Sequence, residues 1–171
     1  MFQGWDNFFF MIGSAAAGLI GLLFVVVTLT SSIERSQALR GATLYLTPTA
    51  MHFAFVLTIS AVAIAPGLPA SASAIVLGVV ALVGLANALR STIGILKPRQ
   101  GMEPPHWTDA WMYGATPAAI YLGLSAASLG LWAHTPWAAH LLAAGLLGLL
   151  LVGIRNAWDL VTWIAPKRDA S

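Results

Sequence analysis

Apolar residues fall in five long runs, at about 8–29, 47–65, 71–95, 116–132 and 138–164, parted by short polar or turn-rich stretches. A helix of roughly 20 such residues spans the ~30 Å hydrocarbon layer of a bilayer. Between the runs stand residues that end helices. Gly41 follows a polar stretch carrying Glu34, Arg35 and Arg40, and Pro66-Gly67-Leu68-Pro69 is a tight uncharged turn. Lys97 to Asp109 forms the longest polar loop and holds Pro98, Gly101, Pro104 and Pro105; His134-Thr135-Pro136 makes the next turn, and Pro166 closes the last run. The pattern predicts an all-α fold: one polytopic membrane bundle of five transmembrane helices over 1–171.

Two of the predicted helices share a register with two others. Leu82-Val83-Gly84-Leu85-Ala86-Asn87-Ala88-Leu89-Arg90 reappears as Leu151-Val152-Gly153-Ile154-Arg155-Asn156-Ala157-Trp158-Asp159, shifted by 69 residues, and the same shift carries Thr47-Pro48 onto Thr116-Pro117. The expectation is a duplicated helical hairpin, with units at about 43–97 and 112–166 and an extra helix at 8–30. Each hairpin runs in the same direction, so the repeats are parallel. The first helix also echoes the last, Ala16-Ala17-Gly18-Leu19-Ile20-Gly21 against Ala143-Ala144-Gly145-Leu146-Leu147-Gly148, which convergence within a small apolar alphabet explains equally well. Thr47 and Thr116 read as N-caps followed by proline at the first helical position; the rival reading is a kink in a helix that starts earlier.

Composition sharpens the membrane reading. The chain is 58% hydrophobic and 8% charged, against about 25% charged in soluble domains. A net charge of +2 is too small to suggest nucleic acid as a partner, and the absence of cysteine removes disulfides and thiolate chemistry. The first seven residues carry Asp6 and no basic side chain, so they lack the start of a secretory leader and the first run reads as a retained helix. All the basic residues, Arg35, Arg40, Arg90, Lys97, Arg99, Arg155, Lys167 and Arg168, fall on one side of a five-span bundle. The positive-inside rule then sets the N-terminus outside and the C-terminus in the cytoplasm.

Candidate chemistry is sparse. Asn87 and Arg90 share a helix face, as do Asn156 and Asp159, and Arg155 lies one turn before Asp159. Arg90 and Asp159 occupy equivalent repeat positions with opposite charge. The sharp expectation is a polar cluster of Asn87, Arg90, Arg155, Asn156 and Asp159, with the asparagines facing each other between the third and fifth helices and Arg90 meeting Asp159. The competing account makes these residues interfacial anchors at helix ends. His52 and Tyr121 are also equivalent, which places two polar groups toward a shared interior. Gly13, Ala17 and Gly21, four apart, suggest a groove for close helix packing. No His-x-x-x-His pair or acidic ligand cluster accompanies His52, His106, His134 or His140, so no metal site is expected. No nucleophile elbow, intramembrane carboxylate pair or zincin motif is present, so neither an enzyme nor a cofactor is expected.

The Ala-Ala-Gly-Leu-Ile-Gly-Leu-Leu-Phe-Val run at 16–25 and the Asn156-Ala157-Trp158 ending resemble those of small, uncharacterised polytopic proteins of bacterial inner membranes. That resemblance implies the general plan and no activity. The expected function is a non-catalytic packing or accessory subunit, partnered by lipid and by its own copies or other membrane subunits. The alternative is a small oligomeric channel or transporter. Topology is directly testable: a cysteine placed at Pro69 or Thr135 should react with an impermeant thiol reagent in intact cells, and one placed at Gln100 should not.

Overall fold

The structure is a computed structural model that describes residues 2–30, 46–96 and 107–164. It is all helical. The five long elements are α1 (Asp6–Thr30), α2 (Thr47–Ile64), α3 (Ala70–Leu96), α4 (Trp111–Trp132) and α5 (Ala138–Ile164), with a single turn at Trp107–Ala110 leading into α4. All five are long and apolar enough to cross a membrane. The protein is a multi-pass membrane protein with five candidate spans.

Four tryptophans mark the depth of the bundle. Trp111 and Trp132 stand 21 residues apart on α4, and Trp137 and Trp158 stand 21 apart across α5. All four are about half exposed or more, at 56%, 57%, 48% and 69%. At ~1.5 Å per residue each interval is about 30 Å, the thickness of the hydrocarbon layer. Indole rings favour the headgroup level, so these residues form two belts, and Tyr121 lies midway between them.

Helices α2, α3, α4 and α5 form a ring in which each packs on the next and α5 closes on α2; α1 lies outside the ring, along α2 and touching α5. α2 and α4 therefore face each other across the centre, and α3 and α5 occupy the other two corners. α1 buries Phe9, Ile12, Ala16 and Leu23, spaced by three, four and seven as a helix-packing stripe requires. Gly13 joins that stripe, and a methyl group added there would lie 3.0 Å from Ser60 Cβ on α2. Ala17 and Gly21 are exposed. The groove expected from Gly13, Ala17 and Gly21 thus reaches only Gly13, because a spacing of four drifts about 40° per step around a 3.6-residue helix.

The proline expectation needs a larger correction. Leu46 and Ala115, which precede the two Thr-Pro pairs, both have right-handed helical angles, and no side-chain cap is formed at either. Before Pro117 the chain already runs through the turn at Trp107–Ala110 and a π-helical turn at Trp111–Ala115, where Thr116 N–H donates to Trp111 O. Pro117 is therefore inside a longer helix. Its ring would clash with the carbonyl one α-turn back, and widening that turn by one residue relieves the clash. Thr47 and Thr116 are helical residues rather than caps. The polar stretch at 31–40 and most of the 97–109 loop lie outside the described residues; 107–109 is helical rather than loop.

The turn after α4 is a Schellman motif. Thr135 N–H donates to Gly130 O at 2.9 Å and His134 N–H to Leu131 O at 3.1 Å. The left-handed position, where glycine is usual, is held by His134 at φ 55°. A side chain in that region costs about 1–2 kcal/mol. His134→Gly should therefore stabilise the bundle by about 1 kcal/mol, read as a higher melting temperature in detergent.

Candidate functional site

The centre of the ring is built where aromatic side chains meet glycines. Tyr121 on α4 is fully buried and lies against α3 at Gly84, where an added methyl would overlap its ring. Phe53 on α2, also fully buried, lies in the same way against α5 at Gly153, with ring carbons 2.5–3.2 Å from where a Cβ would stand. The two glycines are 69 residues apart in sequence. Neither contact tolerates a side chain. Each brings a helix backbone close to the face of a ring, which is how helices gain attraction where lipid offers no hydrophobic driving force.

His52 completes the centre. Its Nδ1 is 2.8 Å from Tyr121 Oη, a buried hydrogen bond joining α2 to α4 across the ring. Sequence had placed both groups toward a common interior; the structure brings them into contact. His52 Nε2 has no partner. With Tyr121 donating to Nδ1, one N–H is left unpaired. In the opposite tautomer both a ring lone pair and the phenol proton lack partners, so the first arrangement costs less. An unpaired polar atom at mid-span is expensive in a membrane, and intramembrane ionisable groups commonly mark function. Among the described residues Ser60 Oγ, beside Gly13, is a second buried side-chain atom without a partner; nothing in the sequence marked it.

A second polar arrangement lies at the basic end. Asn156 is fully buried. Its Nδ2 donates to Met112 O at 3.2 Å, and Tyr113 Oη donates to Asn156 O at 3.1 Å. Met112 is the residue five before Pro117, so in the π-turn register its carbonyl would have taken the N–H that proline lacks. The asparagine side chain supplies the missing donor. Tyr113, which sequence reading passed over, locks the same turn from the other direction.

The cluster expected between α3 and α5 is not formed as predicted. Asn87 donates from Nδ2 to Met51 Sδ at 3.4 Å on α2, whereas Asn156 turns to α4. Arg90 is exposed. Asp159 pairs with Arg155 within α5 at 2.9 Å, and the same guanidinium donates to Asn156 Oδ1 at 3.4 Å. The physical reason is the ring: α3 and α5 stand on opposite corners, separated by α2 and α4, so their polar residues satisfy themselves on nearer helices. The Arg155–Asp159 pair is about two-fifths exposed, and such i,i+4 pairs contribute about 0.3–0.5 kcal/mol. At the other end Trp5 meets His140 edge to face, with centroids 5.1 Å apart, tying the start of the chain to α5.

Among the described residues no cluster of three His, Cys, Asp or Glu side chains is placed to hold a metal ion. No protein-family model, curated protein or solved structure matches the chain.

Filling the Gly84 contact tests the centre. Gly84→Ala forces the Tyr121 ring to move in a packed interior, and overpacking of this kind costs about 1–3 kcal/mol. Gly18→Ala, at a position where an added Cβ meets nothing within 4 Å, should leave stability unchanged or slightly higher. Thermal unfolding in detergent checks the contrast.

Proposed function

We propose that this chain is a non-catalytic packing or accessory subunit of a bacterial inner-membrane assembly, with its N-terminus outside and its C-terminus in the cytoplasm. The observation that carries this reading is the filled centre. Tyr121 and His52, buried and hydrogen-bonded to each other, occupy the axis where a conduit would run, and Phe53 and Leu124, each at most 1% exposed, fill the helix interfaces beside it. The described charged residues Asp6, Arg90, Asp109, Arg155 and Asp159 all lie toward helix ends. A bundle packed in this way offers its outer faces for work and keeps its interior for stability.

The same frame supports the duplicated hairpin. His52 and Tyr121 are 69 residues apart and touch; residues at equivalent positions of two repeats meet only on the axis that relates them. Gly84 and Gly153 each receive a ring from the first helix of the other hairpin. Leu46 and Ala115, equivalent again, both lead into a proline through π-type helix. These matches favour an approximate two-fold axis along the bundle, exchanging α2 with α4 and α3 with α5. The units at 43–97 and 112–166 are then parallel repeats, as occur among transporters, although a fold does not fix a function.

One observation favours the alternative of a carrier: the unpaired His52 Nε2 at the level of Tyr121. Purification in mild detergent and reconstitution into vesicles separate the two. The subunit reading expects a complex heavier than one chain and proton flux no greater than in empty vesicles. Flux that depends on the protein and is lost in His52→Leu would replace it with the carrier.

A further inference from the structure

The seat that α1 occupies has an equivalent on the opposite side of the bundle, and there it is open. Ser60 is buried against α1 at Gly13, and Leu46 and Ala50 flank the groove that α1 makes with α2. Their counterparts, 69 residues on, are Leu129, Ala115 and Ala119 of α4, and all three are exposed. Buried Phe53 likewise corresponds to Leu122, which is 58% exposed, and Leu129 reaches 73%. The approximate two-fold axis carries the α2/α5 groove, filled by α1, onto an α4/α3 groove that has no helix.

We propose that this open seat binds α1 of a second copy of the chain. The inference rests on the duplicated-hairpin reading. The seat fits a helix antiparallel to α4, as α1 is antiparallel to α2. In a neighbouring copy with the same membrane orientation, α1 runs in that direction. Its depth also agrees. Gly13 lies level with Ser60, so Gly21, eight residues further, lies near the level of Phe53 and therefore of Leu122. The face of α1 turned away from its own α2 includes Gly18 and Gly21, where an added Cβ meets nothing within 4 Å. A backbone so bare allows the close approach that the alanines of α4 permit from the other side. Each α1 is then held between α2 of its own chain and α4 of the next. The contact is heterologous, and it builds a ring or a row rather than a two-fold dimer.

The chain has no cysteine, so disulfide trapping in native membranes tests the contact directly. Two differently tagged full-length copies are co-expressed, one carrying Gly21→Cys and the other Leu122→Cys, and the membranes are oxidised. The expected result is a disulfide-linked species bearing both tags, and none in membranes holding either variant alone. Linkage of Gly21→Cys to itself would overturn the proposal, since α1 would then meet α1. So would a link from Leu122→Cys to a foreign chain, or no link at all, in which case lipid covers the seat. The duplicated frame is checked separately by a short bismaleimide bridging His52→Cys and Tyr121→Cys within one chain. If that bridge forms and the intermolecular link does not, only the docking fails; if the bridge does not form, the duplication fails with it.

Discussion

The approach of the Tyr121 ring to the backbone of Gly84 sets the spacing of the whole ring. In lipid, apolar side chains gain little by leaving their surroundings, so helices associate through packing and interhelical hydrogen bonds. A glycine beneath an aromatic face supplies both a short interaxial distance and a large contact. Because α3 carries the glycine and α4 the ring, while α5 carries Gly153 beneath Phe53 of α2, the two hairpins grip each other reciprocally. Once those contacts are made, Tyr121 Oη has no room to turn toward lipid, and His52 of α2 is the polar group within reach at 2.8 Å. The central hydrogen bond follows from the packing rather than causing it.

The basic end obeys a different constraint, that every backbone carbonyl at membrane depth needs a donor. Pro117 removes one donor, and the π-helical turn before it shifts which carbonyl is left short. Asn156 restores the balance from a neighbouring helix through Met112 O. This links three features that are far apart in the chain: the proline, the irregular turn and the buried asparagine. It also explains why Asn156 is fully buried while Arg155 and Asp159, one and three residues away, stay partly in solvent or headgroup. The amide is needed inside, and the ion pair only marks where the helix leaves the hydrocarbon.

Five helices, their limits to within a residue or two except at the start of α4, and the absence of strands among the described residues were legible in the chain, because hydrocarbon thickness and helical rise fix the length of a spanning helix. The relation of His52 to Tyr121 was legible too, through a shared offset. Three things were decided only in three dimensions. Which helices are neighbours is one: sequence paired Arg90 with Asp159 because their positions match, but the ring sets α3 and α5 on opposite corners. The face that α1 buries is another, since an apolar helix in lipid has no polar side to show which way it turns. The last is the role of the prolines. A Thr-Pro pair reads locally as a helix start, and only the preceding turn, widened to π geometry and satisfied by an asparagine about 40 residues away, makes it the interior of a helix. Local sequence specifies where a helix is cheap; long-range hydrogen bonding decides where one is allowed to continue.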